Sequence, residues 1–403
     1  MTRHRLEVAD VFREHANEYL AEFGGPAAPR RVLRAVQNCR TAVLGGHVEA
    51  CDRCGQQRIS YNSCRNRHCP KCQGPATARW LAARAAELLA TPYFHLVFTL
   101  PAALGPLALQ NPRLLYGLLM HATSQTLLEI AADPQHLGAE VGFLTVLHTW
   151  GQNLLHHPHV HCVIPAGGIA PDDSRWIHCR ENFFLPMRVL SRVFRGKFVA
   201  GLKRAFARGE LAFHGDLAEL AEPARFAELL DQAVRRDWVV FAKPPFGGPR
   251  QVLKYLARYT HRVAIANRRL VALRQGSVTF RWKDYAHGGR QRFMTLAATE
   301  FIRRFLLHVL PHGFKKIRHY GFMANRARQA KGELCRRLLN MNSMPTPAPD
   351  DVHPNQPGET PDAEPLRRCP HCREGRLRII QWLPSQLRGS RTPSLVPAYQ
   401  DSS

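Results

Sequence analysis

Four histidines within six residues mark the part of this chain with the clearest potential for chemistry. His156 to His161 reads His-His-Pro-His-Val-His, and the apolar run Cys-Val-Ile follows it. This composition predicts a strand, in which alternate residues share a face, so His159 and His161 should point to the same side. Two imidazoles held in this way make half of a site for a divalent metal such as Mg²⁺, Mn²⁺ or Zn²⁺. The alternative is a surface-facing pair on a half-buried strand.

A metal site needs a third ligand, and His148 is the first choice. It lies on a predicted strand over residues 141–149, which should pair antiparallel with a predicted strand over residues 158–165. His156, His157 and Gln152 are alternatives that lie nearer the turn. A metal held there would act as a Lewis acid and orient a phosphate group.

A pair of tyrosines provides a second reactive feature. Tyr255 and Tyr259 are four residues apart in a predicted helix over residues 250–260, so they should lie one turn apart on the same face. Nearby positive charge would favour the phenolate and make it a usable nucleophile toward a phosphodiester. Three cations accompany the pair: Lys254, Arg258 and Arg262. The alternative is an aromatic pair packed within a core helix.

Clustered cysteines predict a structural zinc site. The pairs Cys51/Cys54 and Cys69/Cys72 each have the Cys-x-x-Cys spacing that bends around one metal, so the four should form one tetrahedral site within residues 47–72. Three further residues could replace one of these ligands or build a second site: Cys64, His68 and His47. Basic residues lie among them, and they predict a DNA-binding surface or, alternatively, a solvated basic face: Arg65, Arg67 and Lys71.

A further Cys-x-x-Cys pair, Cys369 and Cys372, stands near the end of the printed sequence. It is half of a zinc knuckle with no second pair near it in sequence. Metal binding there would need a partner from elsewhere, such as Cys335 or another chain, and the alternative is a thiol pair without metal.

Charge points to a polyanionic partner. The 403 residues include 56 Lys and Arg against 31 Asp and Glu, which gives a net charge of +25. Residues 1–10 lack the apolar core of a secretory signal, and no long apolar span predicts a membrane segment. We therefore expect a cytoplasmic protein, associated with the nucleoid, in which the clustered cysteines among the eleven bind metal rather than form disulfides.

The elements that would position these residues predict an α+β protein. Helices are expected over 5–22, 30–44, 76–89, 111–131, 188–207, 222–234, 250–260, 297–310 and 324–339, and strands over 93–100, 141–149, 158–165 and 238–242, with two or three more up to residue 285. Four segments follow: N-terminal helices and a zinc module (1–90), a catalytic domain (91–342), a Pro-rich linker (343–366) and a C-terminal tail (367–403).

These motifs, in this order, resemble the insertion sequence ninety-one family of transposases, which are two-tyrosine members of the HUH endonuclease superfamily. The resemblance covers roughly residues 30–330. It is carried by Asn62-Ser-Cys-Arg-Asn-Arg-His-Cys-Pro-Lys-Cys-Gln73, His148-Thr-Trp-Gly151, His157-Pro-His-Val-His161, Tyr259-Thr-His-Arg-Val263 and Ile317-Arg-His-Tyr-Gly-Phe322.

The resemblance implies a rolling-circle DNA transposase. It assigns metal binding to His159 and His161 and nucleophilic attack to Tyr255 and Tyr259, with Mg²⁺ or Mn²⁺ as catalytic cation. It implies a central antiparallel sheet flanked by helices, with the metal histidines on a middle strand. Single-stranded DNA at element ends and target DNA would be the partners, and the protein could also form a homo-oligomer. Two alternatives remain: a rolling-circle replication initiator or relaxase, and a non-catalytic zinc-dependent DNA-binding regulator.

Overall fold

The histidine-bearing strand lies in the middle of a five-stranded antiparallel sheet. The order is β12 (Ile317–Gly321), β4 (Gly142–Trp150), β5 (His156–Pro165), β3 (Tyr93–Thr99) and β8 (Val240–Phe246). The computed structural model describes residues 5–74, 77–78, 80–81, 87–246, 263–341 and 368–387. The predicted α+β fold with a central antiparallel sheet is confirmed.

One face of this sheet is covered by helices. These are α3 (Gly105–Gln110), α4 (Pro112–Ala132), α5 (Met187–Ala207) and α6 (Pro223–Val234). Every second residue of β5 faces them, so Val160, Cys162 and Ile164 join the largest core cluster with Phe194 and Phe198 of α5. The intervening residues of β5, including His159 and His161, therefore lie on the opposite face. Burial of this apolar face gives the positions of His159 and His161 a rigid support.

Among the residues that the structure describes, the opposite face of the sheet is only partly covered. Its apolar residues Tyr93, Leu144, Val146 and Val163 form a separate small cluster. Beyond it lies α8 (Arg328–Leu338), which packs with the short hairpin of β6 (Gly167–Ile169) and β7 (Trp176–His178).

The N-terminal helices share a core with a second sheet. Helices α1 (Val8–Phe23) and α2 (Ala27–Gln37) pack on α7 (Ala298–Leu306) and on the meander β9 (Leu270–Arg274), β10 (Ser277–Asp284) and β11 (Arg290–Ala297). Phe12 and Phe305 meet edge to face with ring centroids 5.2 Å apart. The same core includes Cys39, Cys69 and Trp150, so it extends from the cysteine-rich module to the strand that carries His148.

A third sheet joins distant parts of the chain. The hairpin β1 (Gly46–Cys51) and β2 (Gln57–Tyr61) takes β13 (Leu377–Leu383) as an additional antiparallel strand beside β1. The described part of the C-terminal tail predicted over 367–403 contains the Cys369/Cys372 pair and the strand β13, which pairs with the N-terminal module.

Most predicted elements are found, with ends displaced by a few residues. The helix expected over 30–44 ends at Gln37, and the helix expected over 297–310 ends at Leu306. Strands β11, β12 and β13 were not predicted, because their side chains are mostly exposed or half-buried and show little apolar alternation. The helix over 250–260 and the linker over 343–366 lie outside the described residues, as does most of the helix over 76–89. None of the described helices is long and apolar enough to cross a membrane.

Candidate metal centre and zinc-binding cysteines

Three histidines converge on the face of the central sheet opposite helices α3 to α6. His148 of β4 lies directly opposite His159 of β5, and His161 is two residues further along β5 on the same face. One ring nitrogen from each lies within 4.8 Å of the other two. His148 and His161 are buried and His159 is half-buried. The structure therefore brings together the pair and the third ligand that the sequence predicted, and it leaves His156, His157 and Gln152 outside this group.

A backbone hydrogen bond orients the His159 ring. Its Nδ1 lies 2.7 Å from the carbonyl oxygen of His157. Because a carbonyl only accepts, Nδ1 must carry the proton, so Nε2 presents a lone pair. That Nε2 lies 3.1 Å from Nε2 of His161. The two nitrogens can thus bind one cation.

The His161 ring is held from behind by a histidine that the sequence reasoning missed. Nδ1 of His161 lies 2.8 Å from Nε2 of His95, a buried residue of the neighbouring strand β3. The two rings are stacked with centroids 5.0 Å apart. When His161 donates from Nδ1, its Nε2 is free of a proton and ready for a metal, as in many metal-bound histidines whose second nitrogen is hydrogen-bonded. A polar residue inside the apolar strand Tyr-Phe-His-Leu-Val-Phe was the available sequence signal.

Burial keeps His95 neutral. Removal from water lowers the pKa of His95 to about 3, and the charges of Lys243 and His159 add to the effect. A neutral His95 retains a lone pair, which allows it to accept the proton of His161.

Aromatic packing fixes the remaining ligand. The His148 ring stacks on Trp150, with centroids 4.6 Å apart and an angle of 22° between the planes. Trp150 in turn contacts His308 edge to face. His308 is buried and hydrogen-bonded at both ring nitrogens, to Thr149 Oγ1 at 3.2 Å and to the carbonyl of Leu154 at 3.0 Å. The ring of His148 is thereby connected to a rigid part of the core.

The donor set fits a divalent cation with open coordination positions. Three imidazoles suit Mn²⁺ and other transition metals better than Mg²⁺, which prefers oxygen ligands. Three protein ligands leave positions in which phosphate oxygens could bind. Tyr255, Tyr259 and the three cations beside them, Lys254, Arg258 and Arg262, lie outside the described residues.

A cleft opens on the same sheet face, next to the histidines. Its volume is about 330 Å³, and its floor includes Tyr93, Leu144 and Val163. Val163 is the next residue after His161 on the same face of β5, so the cleft begins directly beside the triad. Arg328 and Arg336 of α8 line its side. The cleft combines an apolar floor with charged side chains: the two arginines and Glu87, which forms an ion pair with Arg328.

The cysteines form two clusters, and the grouping differs from the prediction. Cys51, Cys54, Cys69 and Cys72 do not share a site. One cluster contains Cys39, Cys64, Cys69 and Cys72, and the other combines Cys51 and Cys54 with Cys369 and Cys372. The prediction was wrong because spacing identifies knuckles but not which knuckles meet, and because Cys39 has no nearby cysteine in sequence. The suggested partner Cys335 lies elsewhere, in the core near Phe322.

The first cluster has the dimensions of a tetrathiolate zinc site. The Sγ atom of Cys72 lies 3.5 Å from that of Cys39 and 3.6 Å from that of Cys64. A tetrahedron with Zn–S bonds of ~2.3 Å places its sulfurs ~3.8 Å apart. Hydrogen bonds from Cys64 and Cys69 lower the pKa of Cys39, while bonding to Cys39 raises the pKa of Cys64 to about 12. A divalent cation would neutralise the charge that otherwise prevents all four thiols from ionising.

The other residues predicted for the zinc module have different surroundings. His47 contacts Trp382 edge to face, and His68 is largely buried away from the cysteines, where burial lowers its pKa to about 3. Arg67 donates to the carbonyls of Phe314 and Pro311 at 2.6 and 3.1 Å, so it joins the module to the catalytic domain.

Two further basic residues complete the set predicted to bind DNA. Lys71 forms an ion pair with Glu7, whereas Arg65 is exposed. Of the three predicted cations in this module, Arg65 is thus the one presented to solvent.

Comparison with known proteins shows similarity to transposases, both through family models and through individual relatives. A family model described as "Transposase zinc-binding domain" matches residues 11–100, and one described as "Putative transposase" matches residues 142–331. The chain is 56% identical over 388 residues to "Putative transposase y4qJ" of Sinorhizobium fredii, covering 94% of this chain and 96% of that protein. It is 29% identical over 318 residues to "Transposase for insertion sequence element IS801" of Pseudomonas savastanoi pv. phaseolicola, covering 77% and 73%. No solved structure matches the chain at a significant level.

The sheet, the cysteine clusters and these matches define a DNA transposase with a structural zinc module. The chain belongs to the insertion sequence ninety-one family of transposases.

Proposed function

We propose that this transposase cuts and rejoins single-stranded DNA through a covalent 5′-phosphotyrosine, the chemistry of rolling-circle transposition. The observation that carries the proposal is the convergence of His148, His159 and His161 at the centre of the sheet, with the rings of His159 and His161 oriented by hydrogen bonds at their second nitrogens. This arrangement suits a cation that must hold a phosphodiester in one position.

The tyrosines Tyr255 and Tyr259 are the proposed nucleophiles. The phenolate oxygen of one attacks phosphorus and forms a P–O bond, while the bond to the 3′ oxygen breaks and that oxygen takes up a proton as a free 3′-OH. The second tyrosine cuts the other DNA end in the same way. A 3′-OH then attacks a phosphotyrosine, so the strand is rejoined and the tyrosine is released. Each step exchanges one phosphate ester for another, so no energy source is required.

Three histidine side chains bear the positioning role in this reaction. When bound, the divalent cation withdraws charge from the non-bridging oxygens of the scissile phosphate. His95 keeps Nδ1 of His161 occupied, and the carbonyl of His157 does the same for His159, so both rings are prevented from turning away. This pre-organisation reduces the entropy cost of aligning the phosphate with the nucleophile.

The cleft beside the triad supports single-stranded rather than duplex DNA as the substrate. A volume of about 330 Å³ with an apolar floor can receive an unstacked base but not a duplex. Arg328 and Arg336 could contact the adjacent phosphates. The net charge of +25 favours the polyanion as a whole.

The proposal is tested with purified protein, labelled single-stranded DNA from an element end and Mn²⁺ or Mg²⁺, followed by a denaturing gel. We expect a covalent protein–DNA band that is absent for His159→Ala and for the double variant Tyr255→Phe/Tyr259→Phe. His157→Ala is the matched control, because its ring lies outside the triad and its carbonyl is retained.

Two other outcomes would point elsewhere. DNA binding without a covalent band in the wild-type protein would overturn the nuclease proposal and favour a zinc-dependent regulator. A covalent band formed only on replication-origin-type DNA, with no joining of element ends, would favour an initiator.

A further inference from the structure

The second cysteine cluster joins residues from opposite parts of the chain. Cys51 is the last residue of β1 and Cys54 follows it, whereas Cys369 and Cys372 precede β13. The sulfurs of Cys54 and Cys369 lie 3.7 Å apart, as do those of Cys51 and Cys372, and all four lie within 4.8 Å of one another. These separations match the ~3.8 Å edge of a tetrahedron with Zn–S bonds of ~2.3 Å. A disulfide would require sulfurs at ~2.05 Å.

Both halves of the cluster have the backbone of a metal knuckle. The amides of Arg53 and Cys54 each donate to Cys51 Sγ at 3.5 Å, and the amide of Gly375 donates to Cys372 Sγ at 3.3 Å. Such hydrogen bonds stabilise a thiolate rather than a thiol. A Cβ atom at Gly375 would overlap Cys51 Sγ, so only glycine permits the two halves to approach this closely.

Polar contacts connect the two halves next to the sulfurs. The amide of Asp52 donates to the carbonyl of Arg376 at 3.0 Å, and the amide of Arg376 donates to Asp52 Oδ1 at 2.8 Å. Arg53 forms an ion pair with Glu374. These contacts hold the two knuckles together as one unit.

Hydrophobic burial contributes little to holding β13 in place. Leu377 is the one fully buried residue of this strand, whereas Ile379, Ile380 and Trp382 are between 45% and 69% exposed. An added edge strand with so little buried apolar surface is weakly held by packing. The strand is held instead by its backbone ladder with β1 and by the contacts of the two knuckles.

We propose that Cys51, Cys54, Cys369 and Cys372 bind a second structural zinc ion, which fastens the C-terminal strand β13 to the N-terminal module. Four thiolate ligands complete the coordination shell, so the ion has no position for substrate and its role is structural. The protein then contains about two structural zinc ions per chain. The C-terminal Cys-x-x-Cys belongs to a site whose ligands are more than 300 residues apart in sequence.

Zinc content of the full chain provides the first test. Elemental analysis of metal-loaded, reduced protein, made in a His159→Ala background so that the histidine triad adds no zinc, should give about two zinc ions per chain for the wild-type cysteines and about one for Cys369→Ser/Cys372→Ser. The control is Cys179→Ala/Cys335→Ala, which removes two cysteines outside both clusters and should retain about two. One zinc ion in the wild type, or two in the Cys369→Ser/Cys372→Ser variant, would overturn the proposal. So would titration of fewer free thiols than expected in the zinc-free protein, because it would indicate a disulfide.

Retention of the C-terminal segment provides the second test and does not depend on DNA cleavage. A protease site is inserted within residues 343–366 and cut in the purified protein. The C-terminal fragment should stay bound during gel filtration of the otherwise wild-type protein and separate when Cys369 and Cys372 are serine. The first zinc site is intact in both proteins, so misfolding of the N-terminal module is excluded as the cause. Retention of the serine fragment would show that zinc is not what holds β13.

Discussion

His95 gives the most specific prediction about the metal centre, because it contacts a proposed ligand without being one. Replacing His95 with Phe keeps a ring of similar size but removes the nitrogen that lies 2.8 Å from His161 Nδ1. The buried Nδ1–H would then lack its acceptor, at a cost of about 1–3 kcal/mol. Loss of such an outer-sphere partner lowers metal affinity about 10- to 100-fold, equivalent to about 1.4–2.7 kcal/mol.

Calorimetric titration with Mn²⁺, of protein that carries zinc in its cysteine sites and none on the histidine triad, measures this effect. We expect His95→Phe to weaken Mn²⁺ binding by that factor and His95→Gln, whose amide oxygen can still accept, to weaken it less. His157→Phe is the matched control, since it makes the same substitution on the same sheet face at a residue outside the triad. Equal zinc content and circular dichroism would show that the variants are folded.

One result would refute the reasoning. If His95→Phe binds Mn²⁺ within about twofold of the wild type while His159→Ala does not bind, then His161 does not depend on His95 for its orientation. In that case the hydrogen bond between the two rings supports packing of β3 against β5 and has no role in metal binding.

Three further predictions concern stability. Burial lowers the pKa of His308 from 6.5 to about 3, so below pH 6.5 the unfolded chain binds a proton that the folded chain excludes. From pH 7 to 5 this difference lowers the free energy of unfolding by about 2 kcal/mol. Urea unfolding at the two pH values should show a smaller loss for His308→Phe than for the wild type. Gly321 has φ +59° and no room for a Cβ beside the Val141 carbonyl, whereas Gly313 has φ +71° and open space; Gly321→Ala should therefore lower the thermal midpoint more than Gly313→Ala, and equal shifts would contradict the steric argument. Arg67→Met should lose about 2–4 kcal/mol in urea unfolding because two charged hydrogen bonds disappear, and a variant of unchanged stability but weaker DNA binding would instead make Arg67 a DNA contact.

Much of the fold followed from local pattern. The apolar runs of β3, β4 and β5 and the apolar helices α1, α4 and α5 were recognisable because most side chains of these strands, and the apolar side chains of these helices, are buried. The edge strand β12 was not, since each of its residues is half-buried and no alternation distinguishes it. Boundaries such as Gln37 depend on turn and packing geometry that the periodicity of a helix does not contain.

The histidines of the candidate metal centre also divide into those that the sequence could predict and one that required the tertiary structure. His159 and His161 could be paired from sequence because the period of a strand is two, and His148 could be added because a hairpin places one strand beside the next. His95 required the tertiary structure, since β3 precedes β5 by more than 60 residues and becomes its neighbour only in the folded sheet.

Residue type and local spacing by themselves were enough to predict metal-binding histidines, zinc knuckles and a polyanionic partner, because these predictions need only composition and neighbours a few positions apart. Only the tertiary structure decided which knuckles meet. Cys39 joins Cys64, Cys69 and Cys72, and Cys51 and Cys54 join Cys369 and Cys372. The spacing of a Cys-x-x-Cys pair specifies half of a tetrahedron, and the other half is supplied by whichever strand the folded chain brings beside it.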